Sequence, residues 1–103
     1  MLEKEIQKAI CDYLSYKRHF FWRNNNTPIY DPVGKKFRAM PKYTMNGIPD
    51  ILLVKNGQLI GLEVKTPKTK QSLSQIEFGN NLIEAGGKYS VVRGIEDVQN
   101  LGL

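Results

Sequence analysis

Cysteine, histidine and tryptophan each occur once in this 103-residue chain, as Cys11, His19 and Trp22. A lone cysteine has no intrachain partner, so neither a disulfide framework nor a Cys/His zinc site can be assembled. His19 has no neighbouring His or Cys and reads as a packed or surface side chain. No run of about 18 apolar residues is present to span a bilayer. The first residues lack the charged-then-apolar pattern of a secretory signal. Repeats, low-complexity tracts and linkers are missing too. The expectation is one soluble domain, 1–103, in the cytoplasm, and its 41% apolar content permits a single core.

Acidic residues are in deficit. Against 15 Lys and Arg stand 10 Asp and Glu, a net charge of +5 and a pI near 9.4. A basic surface suits a polyanionic partner, since cations that neutralise phosphates gain from counterion release. The charge is clustered: Lys35, Lys36, Arg38 and Lys42 share one stretch with Phe37 and Tyr43, and Lys65, Lys68 and Lys70 share another.

Leu2, Ile6, Ala9, Ile10, Tyr13 and Leu14 follow the helical period, which predicts a helix from Leu2 to about Lys17. "HFFWR", His19 to Arg23, reads as a short strand with Phe20, Phe21 and Trp22 in the core. Pro28, Pro32, Gly34 and Pro41 then break up the stretch from Asn24 to Asn46; so long a loop is usually functional or disordered, and a short hairpin fits within it. Two strands follow, Asp50 to Lys55 and Gln58 to Lys65, joined by Asn56-Gly57, a strong hairpin signal. Thr66-Pro67 ends the pairing. Ser72 to Gln75 fits a capping box, opening a helix that stops at Gly86-Gly87. "KYSVVR" is a further strand, and Ile95 to Leu101 fits a short helix. The order α-β-loop-β-β-α-β-α predicts an α/β fold, a mixed sheet flanked by helices.

The hairpin holds misplaced charges. With Asn56 and Gly57 central in a tight turn, Lys55 faces Gln58, Leu52 faces Gly61 and Asp50 faces Glu63. Lys65 points to the same side. Opposed like charges destabilise a sheet, so something must offset the cost. A hard divalent cation shared by two carboxylates would do so, with Gly61 leaving room beside it and a lysine placed to orient an attacking water. A carboxylate pair, a metal, a lysine and a basic surface together point to phosphodiester hydrolysis. On the first helix Glu3 falls between Ile10 and Leu14 on the apolar side, whereas Glu5 sits at its margin. A first-turn acid suits the helix dipole, and one aimed at the core also suits a metal or water site.

Pro49-Asp50 followed by Glu63-Val64-Lys65 resembles the PD-(D/E)XK nuclease motif. The wider pattern is similar to the virus-type replication-repair nuclease (VRR-NUC) branch: Glu3, "WRNNN", "NGIPDILLV", "GLEVKTP", Gln75 before Phe78, and "EAGGKYSVVR". The likeness covers nearly the whole chain in order, apart from the loop between Asn26 and Asn46. It implies a restriction-endonuclease-like core in which Asp50, Glu63 and the Val64 backbone carbonyl hold Mg²⁺ or Mn²⁺. It makes Lys65 the catalytic lysine, Glu3 the helix-borne acid and a possible further ligand, and Gln75 a supporting polar residue. A capping box alone would also explain Gln75. The activity implied is metal-dependent cleavage of DNA, including branched forms such as four-way (Holliday) junctions in replication and repair. Stand-alone members are often virus-encoded, which implies the host cytoplasm.

Arg23, Asn24 and Asn25 at the first strand's end are candidate DNA contacts, with Lys35, Lys36, Arg38, Lys42, Lys68 and Lys70. Arg93 could hold a carboxylate or a phosphate. Resolving a junction takes two cuts, so a homodimer is expected, with Tyr30, Phe37, Met40, Tyr43 and Met45 supplying apolar area for its interface. The rival readings are a non-cleaving DNA-binding module, an assembly protein whose charge aids solubility, and a nuclease that cuts RNA.

Overall fold

Ile6, Ile10 and Leu14 recur every fourth residue, so they form one apolar stripe along α1 (Glu3–Tyr16), and all three are buried. The computed structural model describes residues 1–24, 30–31, 36–37 and 42–103. Helix α1 closes with a Schellman turn in which the Arg18 and His19 N–H groups donate to the Ser15 and Leu14 carbonyls, at 2.9 and 3.0 Å. Arg18 holds the left-handed position there, at φ +61°.

The strands are β1 (Phe20–Arg23), β2 (Tyr30–Asp31), β3 (Lys36–Phe37), β4 (Ile51–Lys55), β5 (Gln58–Val64) and β6 (Lys88–Val92); the later helices are α2 (Leu73–Glu84) and α3 (Ile95–Asn100). One mixed sheet runs β1-β4-β5-β6, with β1/β4 and β4/β5 antiparallel and β5/β6 parallel. Strands β2 and β3 pair separately as the short hairpin anticipated within the long loop. The expected elements are all present, with their ends moved by one or two residues.

The turn between β4 and β5 is as the sequence predicts. Asn56 and Gly57 both take positive φ, at 53° and 76°, which matches the twist of the flanking strands. Lys55 therefore pairs with Gln58 and Leu52 with Gly61.

Alternation along the strands gives the sheet two different faces. Ile51, Leu53, Ile60, Leu62, Val64 and Val92 pack with the α1 stripe and with Val98 of α3 into one cluster. Leu103 joins them, its carbonyl accepting from the Tyr13 hydroxyl at 2.7 Å. Helix α2 lies on the opposite face, where Gly79 lets the Tyr89 ring come so close that a Cβ would meet it at 2.7 Å. Among the described residues no helix is long and apolar enough to cross a membrane.

Candidate active site

At the open end of the β4–β5 hairpin the register continues from Ile51 opposite Leu62 to Asp50 beside Glu63. Asp50 is fixed from both neighbouring strands. Its Oδ2 accepts the Val64 N–H at 2.9 Å, and its carbonyl accepts the Asn24 N–H at 2.8 Å. Gly47 sets the approach to it. At φ +75°, a Cβ there would lie 2.2 Å from the Ser74 carbonyl oxygen, so the segment before Asp50 rests directly on the first turn of α2.

Glu63 is the buried charged side chain among the described residues, at 1% exposure. Its Oε1 accepts from Gln75 Nε2 at 3.0 Å and lies 3.9 Å from Lys65 Nζ. Its Oε2 is buried with no donor. Burial pushes the Glu63 carboxyl up to about 8, helped by the hydrogen bond its neutral form makes to Asp50 and by the charges of Asp50 and Glu3, while Lys65 opposes the rise. An orphaned buried oxygen next to a second carboxylate is an all-oxygen donor set, and this fits a hard divalent cation.

Gln75 serves both the helix cap and Glu63. Its Oε1 accepts the Ser72 N–H at 2.8 Å and its N–H donates to Ser72 Oγ at 3.3 Å, completing the capping box, while its amide nitrogen holds Glu63. Glu5 is occupied elsewhere, accepting the Leu2 N–H at 2.9 Å. Glu3, half-buried, acts on Glu63 through its field. Among the described residues, no three His, Cys, Asp or Glu side chains converge as a metal-binding group.

Three expectations need correction. Gly61 leaves no room for an ion: a Cβ there would meet Pro49 Cγ at 2.7 Å and Leu82 Cδ2 at 3.3 Å, so those side chains fill the space. Phe20 and Trp22 are not core residues, being 69% and 43% exposed on the sheet's outermost strand, and only Phe21 packs against the core. The Arg93 guanidinium pairs with no carboxylate among the described residues. It donates to the Thr66 carbonyl and, at 2.9 Å, to the Thr69 carbonyl, clamping the turn after β5.

That turn carries Lys68 and Lys70, both exposed. Arg23 is exposed at the end of β1, and Asn24 follows it, half-buried. The Lys42 ammonium lies 5.1 Å above the Tyr43 ring. Tyr43 and Met45 are exposed at 88% and 62%. Asn25, Lys35, Arg38 and Met40 lie outside the described residues, and Tyr30, Lys36 and Phe37 are described only as backbone of β2 and β3.

The chain matches no protein-family model, no curated protein and no solved structure. Sequence reasoning missed the Arg93 clamp and the close seat of Gly47 on α2. An isolated arginine after a strand carries no signal for the first. For the second, Gly47 two residues before Pro49 was the available hint.

Proposed function

We propose that the protein is a divalent-metal-dependent DNA endonuclease with a PD-(D/E)XK core, acting on branched DNA. The observation that supports this best is Glu63, a carboxylate buried among β4, β5 and α2 with one oxygen lacking any donor. Burial keeps this carboxyl protonated up to about pH 8, so its charged form costs folding free energy, and a cation shared with Asp50 would offset that cost. Asp50, Glu63 and the Val64 carbonyl would hold Mg²⁺ or Mn²⁺. When bound, such an ion supplies charge to the phosphodiester and makes hydroxide available near neutral pH.

The chain's own residues do the rest. The Lys65 ammonium, beside Glu63 and mostly shielded from solvent, offsets negative charge developing on the phosphate oxygens. Gln75 holds Glu63 Oε1 in place, and the Val64 N–H does the same for Asp50 Oδ2. Glu3 adds negative potential that favours a cation. Lys68 and Lys70, on the turn after Lys65, are suited to flanking phosphates. A four-way junction needs two cuts, and a two-fold homodimer would supply two equivalent sites.

The test is a cleavage panel of linear duplex, single strand, flap, fork and four-way junction DNA, with RNA counterparts, each in Mg²⁺, Mn²⁺ and chelator. Metal-dependent cutting of branched DNA, lowered about 10²- to 10³-fold in Lys65→Ala, is the expected result. DNA binding without cutting in any metal would instead identify a non-cleaving module. Light scattering on the same preparation reads the dimer.

A further inference from the structure

Phe20 and Trp22 stand exposed on β1, the edge strand whose outer side has no partner in the four-stranded sheet. Phe20 lies opposite Val54 and Trp22 opposite Leu52, which itself faces Gly61. Alternation therefore places both rings on the face that carries Asp50 and Glu63. The next position in that row is Asn24, whose N–H is bonded to the Asp50 carbonyl at 2.8 Å. Helix α2 covers this face over β5 and β6, where Gln75 meets Glu63 and Gly79 meets Tyr89, leaving the β1 rings in solvent.

We infer that Phe20 and Trp22 form a stacking platform for unpaired bases of the strand whose phosphate is cut at Asp50 and Glu63. The inference rests on the nuclease reading and narrows its substrate to DNA with unpaired nucleotides next to the cut. Charge complementarity selects the occupant. Exposed Lys17 and Arg18 precede the pair, while Arg23 alternates to the α1 face near Cys11. The apolar rings therefore have cations on their N-terminal side, which suits a single-stranded polyanion.

Spacing decides between unpaired and paired DNA. Alternate residues on a strand are about 6.6 Å apart, and the two ring centroids are 6.0 Å apart with planes at 59°. Bases in duplex DNA rise about 3.4 Å per step on each strand. Two tilted rings at nearly twice that spacing each take one splayed base, whereas a stacked duplex offers no base faces. A second copy of the chain fits less well. Antiparallel pairing of two β1 edges would bring Arg23 of each copy towards Lys17 and Arg18 of the other, opposing like charges.

Trp22 is the chain's sole tryptophan, so it reports its own stacking. The experiment titrates the full chain in chelator, where cleavage is blocked, with a short oligothymidylate and separately with a blunt duplex of equal charge. Oligothymidylate should quench the Trp22 emission to saturation, with little effect from duplex. Phe20→Ala should bind oligothymidylate about five- to a hundredfold more weakly, and Phe20→Tyr should restore the affinity. Binding without quenching, or Phe20→Ala binding at full strength, overturns the proposal. So does emission that changes with protein concentration before any DNA is added, because a second copy would then occupy the face. Quenching with no cleavage in Mg²⁺ or Mn²⁺ would sink the nuclease reading and leave the platform standing. Cleavage with unchanged affinity in Phe20→Ala would do the reverse.

Discussion

Strand β5 serves two faces with opposite demands. On one, Ile60, Leu62 and Val64 are buried in an apolar cluster with residues of α1 and α3. On the other, two residues apart, come Gly61, Glu63 and Lys65, where a buried carboxylate keeps one oxygen without a donor. The first face is what burial alone would select, since each apolar side chain removed from water stabilises the fold. The second is less stable than it could be, because a neutral side chain in place of Glu63 would remove a desolvation cost. The two faces therefore predict opposite responses to substitution, which is how a site can be told from a core within one strand.

The largest expected effect is on the core face. Leu62→Ala should destabilise the protein by about 2–5 kcal/mol, read by chemical denaturation. A loss much below that would mean the cluster around α1 collapses into the cavity easily. Gly79→Ala comes next. Its Cβ would meet the Tyr89 ring at 2.7 Å, and such overpacking costs about 1–3 kcal/mol. An unchanged midpoint would show that α2 sits more loosely on this face than the contact implies.

Glu63 should reverse the sign. Its folded-state value of about 8 lies above the ordinary 4.5, so folding takes up a proton between those pH values. Stability should be fullest below about pH 4.5 and fall as pH rises towards 8, by up to about 1.4 kcal/mol per pH unit. Denaturation curves in chelator across this window should show the slope in the wild type and lack it in Glu63→Gln. Saturating Mg²⁺ or Mn²⁺ should flatten the wild-type slope by favouring the carboxylate. An equal slope in both proteins would move the titrating group elsewhere. The smallest effect separates the two first-turn acids. Glu3→Gln should lower cleavage about tenfold through the field it contributes, and Glu5→Gln, altered at the cap, should leave it nearly unchanged. A greater loss from Glu5 would reverse that order.

Much of this was legible in the sequence, and what escaped shares one cause. The Asn56-Gly57 turn sets its register locally, so Asp50 could be placed opposite Glu63 by counting along the chain. Ser72 and Gln75 announced the start of α2, and the Ile6–Ile10–Leu14 spacing announced the buried side of α1. Each is a relation between residues a few positions apart. The exposure of Phe20 and Trp22 depends on strand order, because the same "HFFWR" in the middle of the sheet would be core. The filling of Gly61 by Pro49 and Leu82, and the reach of Arg93 to Thr66 and Thr69, likewise depend on which elements become neighbours.

The central claim is that β5 gives up stability at Glu63 in return for phosphodiester cleavage. The most direct measurement takes wild type and Glu63→Gln side by side at neutral pH, recording denaturation midpoints in chelator and cleavage of end-labelled branched DNA in Mg²⁺ and Mn²⁺. The predicted result is a variant more stable than the wild type with cleavage lost. A variant that is more stable and cuts at the wild-type rate would contradict the account.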